Sequence, residues 1–566
     1  MEPDCFPSPI TSRSYLFHDD ILGTSPQGTL PTDAQVRPTN YPADAIGLAN
    51  GDRVSLGPLD YDLDPEVIRD HRDTLVQELL ALPAISVISP VGDLFGIDQG
   101  IYSNSSLTKN DKLDPFDNQW RRLISLEYFD PVNPFNNASE NAELLITGDT
   151  SRSFGATDKH SMRFRFRSGL SRTGRSTLRF AGDIFPSAST KDFNQLNLRH
   201  PTQDSFTLKW NPPNTACYIR SSFAQELHAR MGTANGGQRH LKPNHRWVHL
   251  FLNGLHWGVY DLSERVDEDF AQTYGFGTAD YDILSHSGDV SFPTDHDGIV
   301  DGSYHAWDTL RTLCEAAAAA LPAANSQTEW LSVHAFLDLE NYIDYLLVGM
   351  YLNHRDWPKK NFRIMRRRGP SENLNPDSPP IYDPLNPNDF NPGGKFQFIV
   401  WDAESSMQYF SDLPDRVLAT INAPIDERGV AEFHHLLRNH PAYQELFRQR
   451  TALHFTTTGG LLTPDPITGV IPGYTSFPDE MAAFAGTFDS NDNPLTYGGL
   501  FMESARWGDS RKSATGTTYT YSDPSYRPTS ALGDWKRNTP FYQGYDSSRR
   551  STFLNLLRSQ NLADPE

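Results

Sequence analysis

RWVHLFLNGLHWGVYDL, residues 246–262, is the stretch on which the fold turns. Two alternating aromatic and aliphatic runs flank Asn253-Gly254, a dipeptide that accepts the positive-φ positions of a type I′ turn, so the stretch predicts a β-hairpin. Upstream, strands are expected at WRRLISLEYFD (120–130), AELLITG (142–148), TLRFAG (177–182) and QLNLRH (195–200). MRFRFR (162–167) alternates strictly between apolar and basic residues, which buries one face and leaves the other to a groove or to solvent. Downstream the period changes. The alanine run 316–320 and FLDLENYIDYLLVGMYL (336–352) fit helices, and helices are expected to dominate 426–460. KFQFIVWD (395–402) reads as a strand that ends on an acid. Strands first and helices second point to an α+β chain, arranged as two lobes around a cleft.

The flanks read differently. Residues 1–60, rich in Pro, Asp, Gly and Thr, are expected to be an extended N-terminal arm of low internal stability. Residues 61–119 form a lead-in: a helix over 64–82, with Asp64 as N-cap and Pro65 in its first position, then the strand AISVIS (84–89). A further helix is expected over 221–231, closed by Gly232. A Pro/Asn/Asp-rich surface insert occupies 369–394, and 461–566 is a C-terminal extension of irregular loops with a helix near its end.

Composition narrows the partners. The 49 basic residues stand against 71 acidic ones, a net charge of −22. Such a surface disfavours nucleic acid and anionic membranes, while leaving room for a local basic pocket. No apolar run reaches the roughly 18 residues that span a bilayer, so no integral membrane segment is expected. MEPDCFPSPITSR lacks the basic and apolar regions of a signal peptide. The expectation is a cytoplasmic protein, or a chain cut from an exported precursor that works outside the cell or at its surface. Cys5, Cys217 and Cys314 lie far apart with no CxxC pair, which rules out zinc ribbons and thioredoxin-type chemistry and reads as free buried thiols.

The strongest local motif is HRDWPKKN (354–361), which matches the pattern H-R-D-x-x-x-x-N. In that pattern the Asp orients the acceptor hydroxyl and the Asn reaches the metal on the phosphates. The plain alternative is a charged helix end. His71-Arg72-Asp73 is a control in the same chain, because Glu78 stands where the pattern needs Asn, so the tripeptide alone carries nothing. Trp401-Asp402-Ala403-Glu404 puts an Asp at the end of an apolar strand, where a divalent-metal ligand follows a catalytic loop, although strand-terminal Asp residues are common. Gly148, Ser151 and Arg152 fall in a Gly/Ser/Thr-rich turn followed by Lys159, a layout that can cradle phosphates or be a solvated hairpin turn. His240, His245, His249 and His256 come without H-E-x-x-H and read as ordinary sheet histidines. No G-x-S-x-G supports a serine hydrolase.

Several stretches together resemble the CotH-type kinases, named for spore coat protein H. They are GIDQGIYSNS (96–105), LLITGDTSR with DKHSMRFRF (144–166), NQLNLRH (194–200), CYIRSSFAQELHARMG (217–232), VHLFLNGLHWGVYDLSERVDEDF (248–270), NHRDWPKKNF (353–362) and KFQFIVWDAESSM (395–407). The resemblance implies an atypical protein-kinase-like domain over 120–460, with a β-rich lobe at about 120–270 and a helical lobe at about 300–460. It implies ATP and Mg2+ (or Mn2+), with phosphate passing to Ser or Thr of a protein substrate. On that reading Asp356 is the catalytic Asp, and Asp402, Asn361 and Glu404 hold metal. Lys159, Gly148, Ser151 and Arg152 contact phosphate, Glu264 orients Lys159 or a basic partner, and Arg199 and Arg220 match family arginines of the nucleotide site. Two positions depart from the family: Glu404 stands for a second acid after the WD motif, and Ser221 for the acid after Arg220. The departures leave open an inactive kinase fold with a structural, spore-coat-like or cell-surface role. An envelope carbohydrate-binding module, with Trp257, Trp357, Trp401 or Trp507 stacking on sugars, is the third expectation. The oligomeric state is not indicated.

Overall fold

The computed structural model describes the chain apart from residues 1–12, 27, 50–51, 106–119, 186–187, 206, 210–215, 276, 278, 286–297, 321–325, 371, 373–392, 408–412, 423–428, 476–482, 490–492, 509–546 and 565–566. Most of the expected insert 369–394 and much of the expected C-terminal extension, as well as Cys5, lie outside the described residues. The chain divides into two compact units, each built from three segments. The first comprises 1–218, 244–265 and 478–538, and the second 219–243, 266–477 and 539–566. Both strand and helix are abundant, as an α+β chain requires.

The first unit is organised around a closed barrel of seven strands. They are β1 (Ala84–Ile88), β2 (Arg122–Phe129), β3 (Ala138–Ile146), β4 (Met162–Arg165), β5 (Gln195–Arg199), β6 (His245–Leu252) and β7 (Leu255–Glu264). Around the barrel the order is β6-β7-β5-β4-β3-β2-β1, and β1 closes it by pairing parallel to β6 through Ala84 and His249. All the other pairs are antiparallel. The two-residue period fills the interior: Leu126 and Tyr128, Leu144 and Ile146, Met162 and Phe164, and Leu196 and Leu198 share one buried cluster. The hairpin forms as its sequence demands, with Asn253 at φ 49° and Gly254 at φ 86°.

Closure of the barrel corrects two sequence expectations. Alternation reports strands but not whether a sheet closes, because closure rests on the pairing of β1 with a strand more than 150 residues away. β1 therefore belongs to the barrel and not to a separate lead-in. The described part of 1–60 is more than an extended arm. It carries a short helix, His18–Leu22, and a hairpin, Asp44–Ala49 with Asp52–Pro58, while Tyr41, Ala45 and Leu59 join the barrel's core cluster. Composition missed this because a few apolar residues among many turn-formers are enough to dock a segment. Helix α1 (Pro65–Ala81) begins with Pro65 as expected, and is kinked at His71 (φ −133°), so that His71-Arg72-Asp73 falls at the kink of a helix and not in a loop after one.

The second unit has a four-stranded antiparallel sheet: β8 (Tyr281–Ser285), β9 (Ile299–Asp301), β10 (Phe362–Arg367) and β11 (Gln397–Val400), in the order β9-β8-β10-β11. With it come α2 (Arg220–Met231), α3 (His305–Ala319), α4 (Ser326–Phe336), α5 (Leu339–Tyr351) and α6 (Pro441–Phe455). Almost every residue of α5 is buried. Its one acid at mid-helix, Asp344, accepts hydrogen bonds from Arg450 Nε (2.9 Å), His454 Nε2 (3.1 Å) and His240 Nε2 (2.9 Å). Burial alone would raise its pKa, but these bonds hold the carboxyl far below the usual range. α7 (Leu500–Trp507) belongs to the first unit and α8 (Ser547–Ser559) to the second.

Candidate active site

In the second unit the loop after α5 and the end of β11 meet. Asp338 caps α5 by accepting from Asn341 N. The helix delivers residues 353–361, and β10 then runs antiparallel to β11 with Phe362 opposite Val400. This register sets Asn361 beside Asp402, and Asn361 Nδ2 donates to the Asp402 carbonyl at 3.3 Å. Four residues around this junction are left-handed: Asn353 (φ 55°), Asn361 (φ 58°), Asp402 (φ 56°) and Met407 (φ 61°). Non-glycine residues seldom adopt this conformation, and such strain gathers at functional sites. Asp356 is exposed in the turn before Asn361, while Glu404 is buried in the short 3-10 turn Ala403–Ser405.

Neighbouring groups brace the junction. Ala403 N donates to Ser221 Oγ at 3.3 Å, so a hydroxyl at the start of α2 holds the backbone beside Asp402. Trp357 is buried, and its indole N–H reaches Tyr345 Oη at 2.8 Å. Asn341 pairs with both polar groups of Phe398, accepting from N at 2.6 Å and donating to O at 3.2 Å. One amide therefore ties α5, which leads to Asp356, to β11, which leads to Asp402. Arg220 is buried at the start of α2.

The first unit holds the other expected residues. Lys159 and Glu503 are both closed to solvent. Lys159 Nζ donates to Glu503 Oε1 (2.6 Å) and Oε2 (2.8 Å) and to the Val259 carbonyl (2.7 Å), and it lies 4.3 Å from the Tyr260 ring centre. Desolvation pulls the Lys159 pKa down to about 8, against the attraction of Glu503. Glu503 also accepts from Tyr218 Oη (3.0 Å) and Val259 N (2.8 Å). Lys159 thus has an internal carboxylate partner, Glu503. Glu264, expected to orient Lys159 or a basic partner, accepts from N and Nδ2 of Asn244, both at 2.8 Å. Gly148, Ser151 and Arg152 do form one turn. Arg152 is buried and closes it by donating from Nε to the Gly148 carbonyl at 2.7 Å, and desolvation lowers its pKa to about 10. Arg199 lies half-buried on β5 opposite Asp261 of β7.

Sequence reasoning missed Glu503 and Asn341. A buried lysine demands a carboxylate, but nothing local pairs positions 159 and 503. His245, His249 and His256 lie on β6 and β7, where His249 and His256 are buried and share a hydrogen bond of 3.1 Å, whereas His240 stands outside the sheet and pairs with Asp344. Cys217 and Cys314 are buried and form no disulfide among the described residues. Among the described residues no group of three or more His, Cys, Asp or Glu side chains is set to hold a metal. A metal that takes much of its coordination from water and phosphate needs fewer protein ligands, and the carboxylate of Asp402 with the amide of Asn361 fits that hard-oxygen chemistry. Ser405 and Ser406 add two buried hydroxyls to the same turn, with no hydrogen-bond partner among the described residues.

A family model described as CotH kinase protein matches residues 146–457, more than half of the chain. Among curated proteins, none matches.

Proposed function

Because the chain belongs to the CotH kinase family, we propose that it transfers the γ-phosphate of ATP to Ser or Thr of a protein substrate with the help of Mg2+ or Mn2+. What supports the reading is the hydrogen bond that joins Asn361 of the HRDWPKKN loop to Asp402, across 41 positions of sequence. In this mechanism Asp402 and Asn361 hold the divalent ion, with Glu404 behind them. The ion, when bound, neutralises and aligns the phosphate oxygens. Asp356, exposed at the loop, orients the acceptor hydroxyl and takes its proton. Catalysis of this kind is mostly alignment and charge stabilisation, which a junction braced by Asn341 and Trp357 suits. Incorporation of labelled phosphate from ATP into protein tests the proposal. Asp402→Asn abolishes it, and Asp356→Asn lowers it strongly while sparing nucleotide binding. Mutants indistinguishable from wild type would end the assignment.

A second reading is a kinase fold that does not transfer phosphate. One observation favours it: all three Nζ protons of Lys159 are used inside the first unit. Its signature is the absence of a thermal shift with millimolar Mg-ATP.

A further inference from the structure

Arg163, Arg165 and Arg167 alternate with Met162, Phe164 and Phe166, whose side chains belong to the barrel core. The arginines therefore stand on the outer face of β4 and its continuation, each half-buried. Register places Arg165 between Glu143 of β3 and Gln195 of β5. Arg265, next after β7, donates to Gln195 Oε1 at 2.5 Å. Arg121, next before β2, comes within 3.9 Å of Glu143, which also accepts from Arg167 Nε at 3.1 Å. One carboxylate thus serves two guanidiniums. The side chain of Arg165 makes no hydrogen bond or ion pair among the described residues. Partial burial, and then the like charges of Arg167, Arg121 and Arg265, lower its pKa, against the attraction of Glu143.

We propose that this arginine face docks an extended acidic segment of polypeptide, and, resting on the kinase reading above, that the segment belongs to the protein substrate. Five arginines around one glutamate are an anomaly in a chain of net charge −22. Arg163, Arg165 and Arg167 recur at about 6.6 Å, the rise of two residues in a strand, and every second side chain of an extended peptide repeats at that distance. Arg163 Nε is held by Asn197 Oδ1 at 3.1 Å and Arg167 Nε by Glu143, so the guanidinium of Arg165, between them, is the one set to fork a carboxylate. The row leads into an open groove of about 500 Å³ lined by Phe166, Arg167, Ser168, Gly169 and Leu170, with Glu143 at its side. A long polyanion such as nucleic acid meets the acidic remainder of the surface, whereas a short segment does not.

Fluorescence anisotropy on the full chain, with a labelled dodecapeptide carrying Asp at every second position, tests the proposal. The expected result is saturable binding that weakens with salt and vanishes when the Asp residues are replaced by Asn. Arg165→Gln weakens it by about tenfold or more, the loss of one charge-assisted pair, and leaves the melting temperature and any Mg-ATP thermal shift unchanged. Arg265→Gln, on a different strand end, serves as the second variant. The proposal is overturned if the Asn peptide binds equally, if neither variant weakens binding, or if a single-stranded oligonucleotide of equal charge binds as tightly. It is also overturned if Arg165→Gln removes the Mg-ATP shift, which would assign the arginines to the nucleotide. Peptide binding is scored without phosphate transfer, so failure of the kinase reading and failure of the docking face are separate outcomes.

Discussion

Lys159 and Glu503 each depend on the other, because neither charge reaches water. Lys159→Met leaves the carboxylate without its counter-charge and is expected to cost about 3–5 kcal/mol, read from denaturant unfolding. Adding Glu503→Leu removes the orphaned charge and recovers part of the loss, though not all, since Tyr218 Oη and Val259 N lose their acceptor. A single mutant as stable as wild type would show that the pair holds nothing. Gly258 acts on the same pair. It sits at φ 104°, and a Cβ there would lie 2.6 Å from Trp507 Nε1 and 2.8 Å from Glu503 Oε2. Gly258→Ala is therefore expected to destabilise by at least the ~1–3 kcal/mol of an unfavourable backbone conformation, with a matching drop in melting temperature. At this scale the sequence was half legible. The turn motif pointed to Lys159, and chemistry demanded a carboxylate, but the identity of that carboxylate is a property of tertiary packing.

α5, the loop after it and β11 behave as one device. Gly349 of α5 lies against Trp357, and a Cβ would meet three ring atoms at 2.9 Å. Gly349→Ala pushes the indole, and with it the Asp356 turn. The expectation is a loss of phosphate transfer larger than the accompanying loss of melting temperature, and the reverse order would separate the loop from the chemistry. Asn341→Leu deprives Phe398 of both backbone partners in a buried site, with an expected cost of about 1–3 kcal/mol by chemical denaturation. The elements themselves were readable: the apolar helix, the motif that follows it and the acid at the strand's end all stand where periodicity put them. What periodicity could not supply was the register of β10 on β11, which turns two acceptable motifs into one junction. The left-handed conformations of Asn361 and Asp402 follow from that meeting and not from local propensity.

Across the molecule, buried histidines set the response to acid. Burial lowers the pKa of His160, His228 and His434 to about 3 and that of His249 to about 4, from an ordinary value of 6.5. Below pH 6.5 the unfolded chain takes up protons at these sites and the folded chain does not. Their contribution is therefore complete above about pH 6.5 and is lost progressively as pH falls toward 4 and then 3. The melting temperature is expected to fall steeply between pH 7 and pH 4.5; a flat profile would show the imidazoles to be solvated. The acidic, cysteine-poor composition anticipated none of this, since burial of a histidine is invisible in its count. The interleaving of segments has a consequence in time. Lys159 and Glu503 are 344 positions apart, and synthesis at about 5–20 residues per second separates them by roughly 17–70 s. Throughout that interval a nascent barrel carries an unneutralised lysine where its core should close, so the ribosome is expected to release a first unit that completes only at the end of translation. A chain stopped at residue 477 should accordingly remain open to protease within residues 84–264, whereas the full chain resists.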